Sequence, residues 1–223
     1  MGLSSPATVI SNTDETSQRL LALANQAGRE ISRMHQWKVL TKEKTFTTVA
    51  AVVQTDTPIP ADFDRFINGT WFNRSKYRRI VGPLTAEEWQ IQVSLTASTM
   101  IDAFRVRGSS FLLTPTPTAG ETIAYEYISK YWVDNDGDDA GDQVAFLADD
   151  DTSVLDETMI TNDCIWRYRK SAGLNYAEDF RTAQMMIAGR VAADGGQRTL
   201  DLGRRRLGDN PRIPYVQDGS WNL

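Results

Sequence analysis

The sequence predicts an α+β protein. A three-helix bundle, built from an N-terminal helix and a C-terminal helical hairpin, carries an inserted β-rich domain and ends in an extended arm. Three observations lead there. Apolar residues recur at steps of three and four in 14–34, 155–171 and 176–193, the spacing of one helical face. Residues 121–133 alternate with period two, and 39–53 is rich in Thr, Val and Phe with no Gly or Pro, which are marks of strands. Beyond 196 the chain contains Arg, Gly and Pro but no core pattern. The chain divides into 1–37 (lead-in and first helix), 38–133 (β-rich domain), 134–151 (acidic loop), 152–196 (helical hairpin) and 197–223 (arm).

Residues 1–12 are rich in Ser and Thr and read as an extended lead-in. The first helix then places Leu20, Leu23, Ala27, Ile31 and Met34 on one face. Thr13 is its expected N-cap, and Asp14 and Glu15 suit the positive end of the helix dipole. Thr57-Pro58-Ile59-Pro60 breaks the strand region. Phe63-Asp64-Arg65-Phe66 reads as one helical turn or a tight connection, and Asn68-Gly69 as a hairpin turn before Thr70-Trp71-Phe72. Gly82-Pro83 makes a turn after Arg79-Ile80-Val81. Thr85 and Glu88 have the spacing of a capping box.

Phe104–Leu113 reads as two short strands around Gly108, with the stiff Thr114-Pro115-Thr116-Pro117 after them. Ile123, Tyr125, Tyr127 and Tyr131 share one face of the clearest strand. The third helical segment, Leu155–Ser171, is opened by Asp156 and Glu157 and closed by Arg167, Arg169 and Lys170, all favourable to the dipole. Gly173 fits a left-handed C-cap. Tyr176, Phe180, Ala183, Ile187 and Val191 stripe the last helix, which Gly195-Gly196 stops. The short link makes the two an antiparallel hairpin.

Composition bounds the chemistry. At 223 residues and 25.0 kDa the chain can bury roughly 70% of its unfolded surface without staples. One cysteine, Cys164, excludes an internal disulfide and a Cys-rich zinc site, and one histidine, His35, excludes a His-based metal site within one chain. The longest apolar runs, such as Val49–Val53, are too short to span a bilayer, so no membrane partner is expected. The start MGLSSPATVI lacks the pattern of a signal peptide. A net charge of −5 argues against a general nucleic-acid binder. That charge is unevenly placed. Asp134, Asp136, Asp138, Asp139, Asp142, Asp149, Asp150 and Asp151 fall in one stretch without a basic residue, whereas Arg198, Arg204, Arg205, Arg206 and Arg212 lie near the C-terminus.

No catalytic residue, cofactor or metal site is assigned. Asp134, Asp136 and Asp138 have EF-hand spacing, but Asp139 stands where Gly is needed and Ala145 where a bidentate Glu is needed. Adjacent Glu87 and Glu88 point in different directions on a helix and do not form a carboxylate pair for glycoside hydrolysis. His35 and Cys164 read as structural. There is no phosphate-cradling Gly-rich loop. The sequons at Asn68 and Asn73 read as chance matches. Trp37, Trp71, Trp89, Trp132 and Trp166 read as core or junction residues. Trp221, in a segment with no core of its own, reads as an anchor for a partner's pocket.

Four pieces in this order resemble the head-to-tail connector (adaptor, tail tubular or gatekeeper) proteins of tailed bacteriophages. They are LLALANQAGREISRMHQW running into KEKTFTTVA; IPADFDRFINGTWF with GPLTAEEW after it; FLLTPTPTAGETIAYEYISKYWV; and FLADDD…IWRYRKSAGLNYAEDF…AADGG. The resemblance implies a non-enzymatic virion protein at the head–tail connector. It implies a ring, usually dodecameric, that sits between the portal and the tail and continues the DNA channel. The partners implied are the portal protein, a downstream tail or nozzle/stopper protein, further copies of the chain, and passing DNA that is not specifically bound. In such proteins the C-terminal segment grips the portal, which here points to Arg204, Arg205, Arg206, Arg212, Ile213, Tyr215 and Trp221. An acidic wall repels phosphates, so Asp134, Asp136, Asp138, Asp139 and Asp142 are expected to face the channel or a basic neighbour. The competing readings are a tail-associated β-domain module that binds a glycan or receptor and, more remotely, a small hydrolase of cell-wall glycan.

Overall fold

Helix α1 (Glu15–Met34) starts at Asp14, whose carboxylate accepts the Ser17 amide at 3.1 Å. The cap is thus one residue beyond the expected Thr13, because Asp14 supplies both the acceptor and the charge. The computed structural model describes residues 8–55, 58–94, 101–108, 110–135, 137–138 and 140–195. After α1 a single 3-10 turn, Lys38–Leu40, leads into β1 (Thr41–Thr47). The remaining strands are β2 (Val53–Gln54), β3 (Phe63–Phe66), β4 (Phe72–Asn73), β5 (Arg78–Val81), β6 (Asp102–Arg107), β7 (Ser110–Thr114), β8 (Thr122–Ser129), β9 (Val133–Asp134) and β10 (Thr152–Ser153). The helices are α2 (Ala86–Ser94), α3 (Glu157–Ser171) and α4 (Ala177–Asp194).

The class is α+β, as expected, and β8 organises it. On one edge β8 pairs antiparallel with all of β1, Thr41 opposite Ile128 through to Thr47 opposite Thr122. On the other edge β3 and β4 lie end to end, with Phe66 opposite Tyr127 and Phe72 opposite Ala124. The curled sheet continues through β4, β5, β6, β7 and β2. Among the described strands only β5 and β6 pair in parallel, and α2 lies in the crossover such a pair requires.

Two sequence readings are corrected here. Phe63–Phe66 is a strand, not a helical turn. Asn68-Gly69 does make a turn, with Gly69 at φ 84°, but the strands on either side of it both pair with β8 and not with each other. The turn is therefore an excursion between the two halves of one interrupted edge. Thr70 closes it, accepting the Glu126 amide at 3.1 Å and donating to the Ile67 carbonyl at 2.8 Å.

Two apolar cores result. The first lies inside the curled sheet. Trp71 stacks on Tyr125 (3.9 Å between centroids) and Phe104 (4.0 Å), with Phe46, Phe111, Ile123 and Tyr127 around them. The second joins Ala27 and Ile31 of α1, Met159 and Ile160 of α3 and Ile187 of α4 to Ile128, Trp132 and Val133. The helices therefore do not bury their stripes against each other alone. They also pack on the far end of β8 and the residues after it. Helix α3 packs against α1 and against α4. Ion pairs Arg169–Asp179 and Arg190–Asp156 join α3 and α4 near both ends, as an antiparallel hairpin requires.

Trp37, Trp71, Trp89 and Trp132 are buried and Trp166 is half-buried. The expected stripes are right in the middle of the helices and wrong at their ends. Met34, Tyr176 and Phe180 are exposed, and Tyr131 lies past the end of β8. Phe180 and Tyr176 still rest on one side against Trp166 of α3, at 5.1 and 6.3 Å between ring centroids.

The tightest packing is between α1 and Trp132. The indole is fully buried, donates from Nε1 to the Val144 carbonyl at 2.9 Å, and lies flat over Gly28. A Cβ at position 28 would stand 2.1 Å from the ring. Gly28→Ala is expected to destabilise the protein by about 1–3 kcal/mol through overpacking. That outweighs the helix-propensity gain of up to about 1 kcal/mol. Thermal unfolding should show a Tm lowered by several degrees; an unchanged or higher Tm would mean that Trp132 moves aside freely.

Candidate functional site

The titratable groups that could serve catalysis are each held in local structural contacts among the described residues. His35 contacts Asp194 at 3.1 Å and packs edge-on against Trp37, which ties the end of α1 to the end of α4. Burial, then the nearby Asp163 carboxylate, push the Cys164 thiol pKa up, the opposite of what a nucleophile needs. Glu88 accepts the Thr85 amide at 2.8 Å and its own amide donates to Thr85 Oγ1 at 3.3 Å, so the capping box forms as expected. That bond holds the Glu88 carboxyl below its ordinary pKa. Among the described residues no group of three or more His, Cys, Asp and Glu side chains is placed to hold a metal ion.

The acidic stretch is pinned at both ends. Asp134 in β9 is only 2% exposed and accepts the Gly137 amide at 3.1 Å, so its side chain faces into its own chain. Asp138 and Asp142 are exposed, and the Asp142 amide donates to the Val133 carbonyl at 2.9 Å. Lys42 reaches from β1 to the Gly141 carbonyl at 2.9 Å. Asp149 accepts the amides of Val9 and Ile10, and Asp151 those of Leu147 and Ala148. These aspartates shape their own loop as well as charging it. Asp136 and Asp139 lie outside the described residues, as do Arg204, Arg205, Arg206, Arg212, Ile213, Tyr215 and Trp221.

An open groove of about 400 Å³ runs between α1 and α3, floored by Leu20, Ala24, Ile160 and Ile165 and walled by Phe146. Leu147 stands exposed beside Phe146, and Leu174, Phe180 and Met185 are exposed along the α3–α4 link and α4. Below the groove α1 and α3 are clamped by charge. Asp163, almost fully buried, accepts Trp166 Nε1 at 2.7 Å and Arg167 Nε at 2.6 Å, while Arg167 Nη2 donates to Glu30 at 2.6 Å. The Arg167 hydrogen bond holds the Glu30 carboxyl below its ordinary pKa.

At the opposite end of the sheet, Glu121 anchors the β4–β5 turn. It accepts Asn73 Nδ2 at 2.6 Å and the Thr118 amide at 2.9 Å, and pairs with Lys76 at 2.7 Å. Burial raises the Glu121 pKa, but these donors outweigh it and the net shift is downward. From this held turn Tyr77 projects, 83% exposed, with Arg74, Lys76, Arg78 and Arg79 around it. The sequence carries a signal for this feature, four basic residues and no acid in 72–81, but it is masked there by the strand pattern in which it is set.

A family model described as SU10 adaptor protein matches residues 4–212. The chain belongs to that family, which is one of phage head–tail adaptors. Membership implies a structural, non-enzymatic role in the phage particle. No curated protein matches the chain. Among the described residues no helix is long and apolar enough to cross a membrane.

Because the folded pKa of Glu121 is depressed, the stability it contributes is fully present above its ordinary value of 4.5 and is lost as pH falls below that. Glu121→Gln should cost about 1–3 kcal/mol at neutral pH, since it strips the charge from a buried hydrogen-bonded partner of Lys76. Thermal unfolding from neutral pH down to about pH 3.5 should then show a smaller acid-induced drop in Tm for this variant than for the wild type. Equal drops would remove Glu121 from the acid response.

Proposed function

We propose that this protein is the ring-forming adaptor between the portal and the tail of a tailed bacteriophage. The family match over residues 4–212 carries the reading, because it spans both cores and reaches into the basic C-terminal segment. In this reading the helical part forms the ring, a dodecamer by analogy with similar connectors. The β-rich insert, 38–133, meets neighbouring copies or the next tail component. The arm, 197–223, reaches the portal through Arg204, Arg205, Arg206, Arg212, Ile213, Tyr215 and Trp221. Asp138 and Asp142, together with Asp136 and Asp139, face the channel or a basic neighbour, so that the wall repels DNA in transit. A ring subunit needs heterologous contacts that close by rotation, and exposed apolar residues on separate faces suit that. The rival reading, a glycan- or receptor-binding β module, would have to rest on the exposed Tyr77, because most aromatics of the β-rich domain lie inside the sheet. Phe46, Trp71, Phe104, Phe111 and Tyr125 fill the interior of the sheet and present no aromatic face to a ligand.

Native mass measurement and negative-stain imaging, alone and with the portal ring, test the proposal. A ring, free or formed on the portal, is the expected result; a monomer indifferent to the portal would overturn it. Deleting 204–223 should leave the unfolding transition in place and abolish portal attachment, and normal attachment would reject the arm. Replacing Arg204, Arg205 and Arg206 with Ala should weaken attachment, with a smaller salt dependence than the wild type shows. If attachment is unchanged at both low and high salt, those arginines do not contact the portal.

A further inference from the structure

We propose that the β4–β5 turn is a contact finger for a second copy of this chain, and that it docks on the acidic surface carrying Asp142 and Asp150. The finger is built to be rigid. The Lys76 amide donates to Asn73 Oδ1 at 3.0 Å, the Arg74 amide to the Thr122 carbonyl at 2.8 Å, and the Thr122 amide to Ser75 Oγ at 2.9 Å. Side-chain pairs Arg74–Glu43 and Lys76–Glu121 brace it from either side. At its tip Tyr77 has φ 55°, a left-handed backbone that a residue with a bulky side chain rarely adopts. The fold thus holds an aromatic ring out in water on a strained, fixed backbone. Neither burial nor a hydrogen bond within the described chain accounts for that. A rigid aromatic beside arginines is the composition of a protein-contact hot spot. Arg78 and Arg79 make no ion pair among the described residues, so their charge is available to a partner.

The complementary surface lies in the same chain but out of its own reach. The finger is tied to Thr122, at the start of β8. The acidic segment begins beyond Ser129, at the other end of β8, where exposed Asp142 adjoins the Val133–Gln143 bridge on one edge of β9 and exposed Asp150 lies two residues before β10 on its other edge. Eight residues of extended chain separate the two, on the order of 23 Å. Opposite charges at opposite ends of one strand cannot meet within a subunit. They meet when one copy follows another in a head-to-tail arrangement, the heterologous geometry that closes a ring by rotation. This inference rests on the ring reading above and adds the surfaces that make the contact.

Full-length variants, assembled alone or on the portal ring and checked by thermal unfolding, test it. Asn tolerates a left-handed backbone, so Tyr77→Asn should keep or raise Tm and yet reduce the fraction of subunits in rings. Reversing the finger (Arg78→Glu with Arg79→Glu) should weaken assembly at least about tenfold at low salt, and so should reversing the acidic face (Asp142→Arg with Asp150→Arg). Combining the two reversals in one chain should restore assembly, because every copy then carries the swapped pair. Assembly unaffected by either reversal or by Tyr77→Asn would overturn the proposal, as would a combined variant no better than the single reversals. Loss of duplex-DNA retention with assembly intact would also overturn it, and would assign the finger to nucleic acid. A wild-type chain that never forms rings would be a failure of the adaptor reading instead, distinguishable because it involves no variant.

Discussion

One strand, β8, sets the terms for the rest of the molecule. Both its edges are occupied, by β1 on one side and by β3 and β4 on the other, so its backbone is paired along its length. Its side chains serve two interiors. Ile123, Tyr125 and Tyr127 point into the aromatic core of the sheet, and Ile128, near its end, enters the core shared with the helices. A register slip of one residue would turn the tyrosines outward and detach Ile128 from the helices at once. The sheet and the helical part therefore stand or fall on the same pairing.

The helices attach to this strand through the segment just beyond its C-terminal end. Trp132 lies three residues past Ser129 and is covered by α1 only because Gly28 has no side chain. Charge then fixes α3 against α1 through Asp163, Arg167 and Glu30. The Asp163 carboxylate is almost completely enclosed, and it is satisfied by Trp166 and Arg167 from its own helix. Removing Arg167 would leave that carboxylate buried without its charge partner, a larger penalty than the net worth of the pair. An apolar contact sets how close the helices come, and an ionic one sets their register.

Such a scaffold suits a protein whose work is to be held between others. It places most aromatics of the sheet in the interior, with Tyr77 left exposed, and puts charge at separated places: basic residues on the β4–β5 turn and acidic residues after β9. That separation along β8 gives the chain two unlike ends. The proposed finger contact between copies is a consequence of the polarity. Membership in the SU10 adaptor protein family places the same chain in the phage head–tail junction.

Much of this architecture is legible in the sequence by itself. Periodicity locates α1, α3, α4 and β8, since 3.6-residue and two-residue patterns are properties of local chain geometry. Capping and dipole chemistry locate the helix starts at Asp156 and Thr85 and the left-handed Gly173 at φ 71°, because those interactions span only two to five residues. Only the tertiary structure decided which face of each element met which partner. Asn68-Gly69 carries the local signature of a hairpin, yet both flanking strands found the longer edge of β8. Phe63–Phe66 became a strand for the same reason. The need for Gly28, the burial of Asp134 while Asp142 remains exposed, and the strained exposure of Tyr77 are likewise set by contacts from distant parts of the chain. Short-range chemistry determines what an element is. Its surroundings are determined by which distant residues exclude water together, and a linear pattern does not record that.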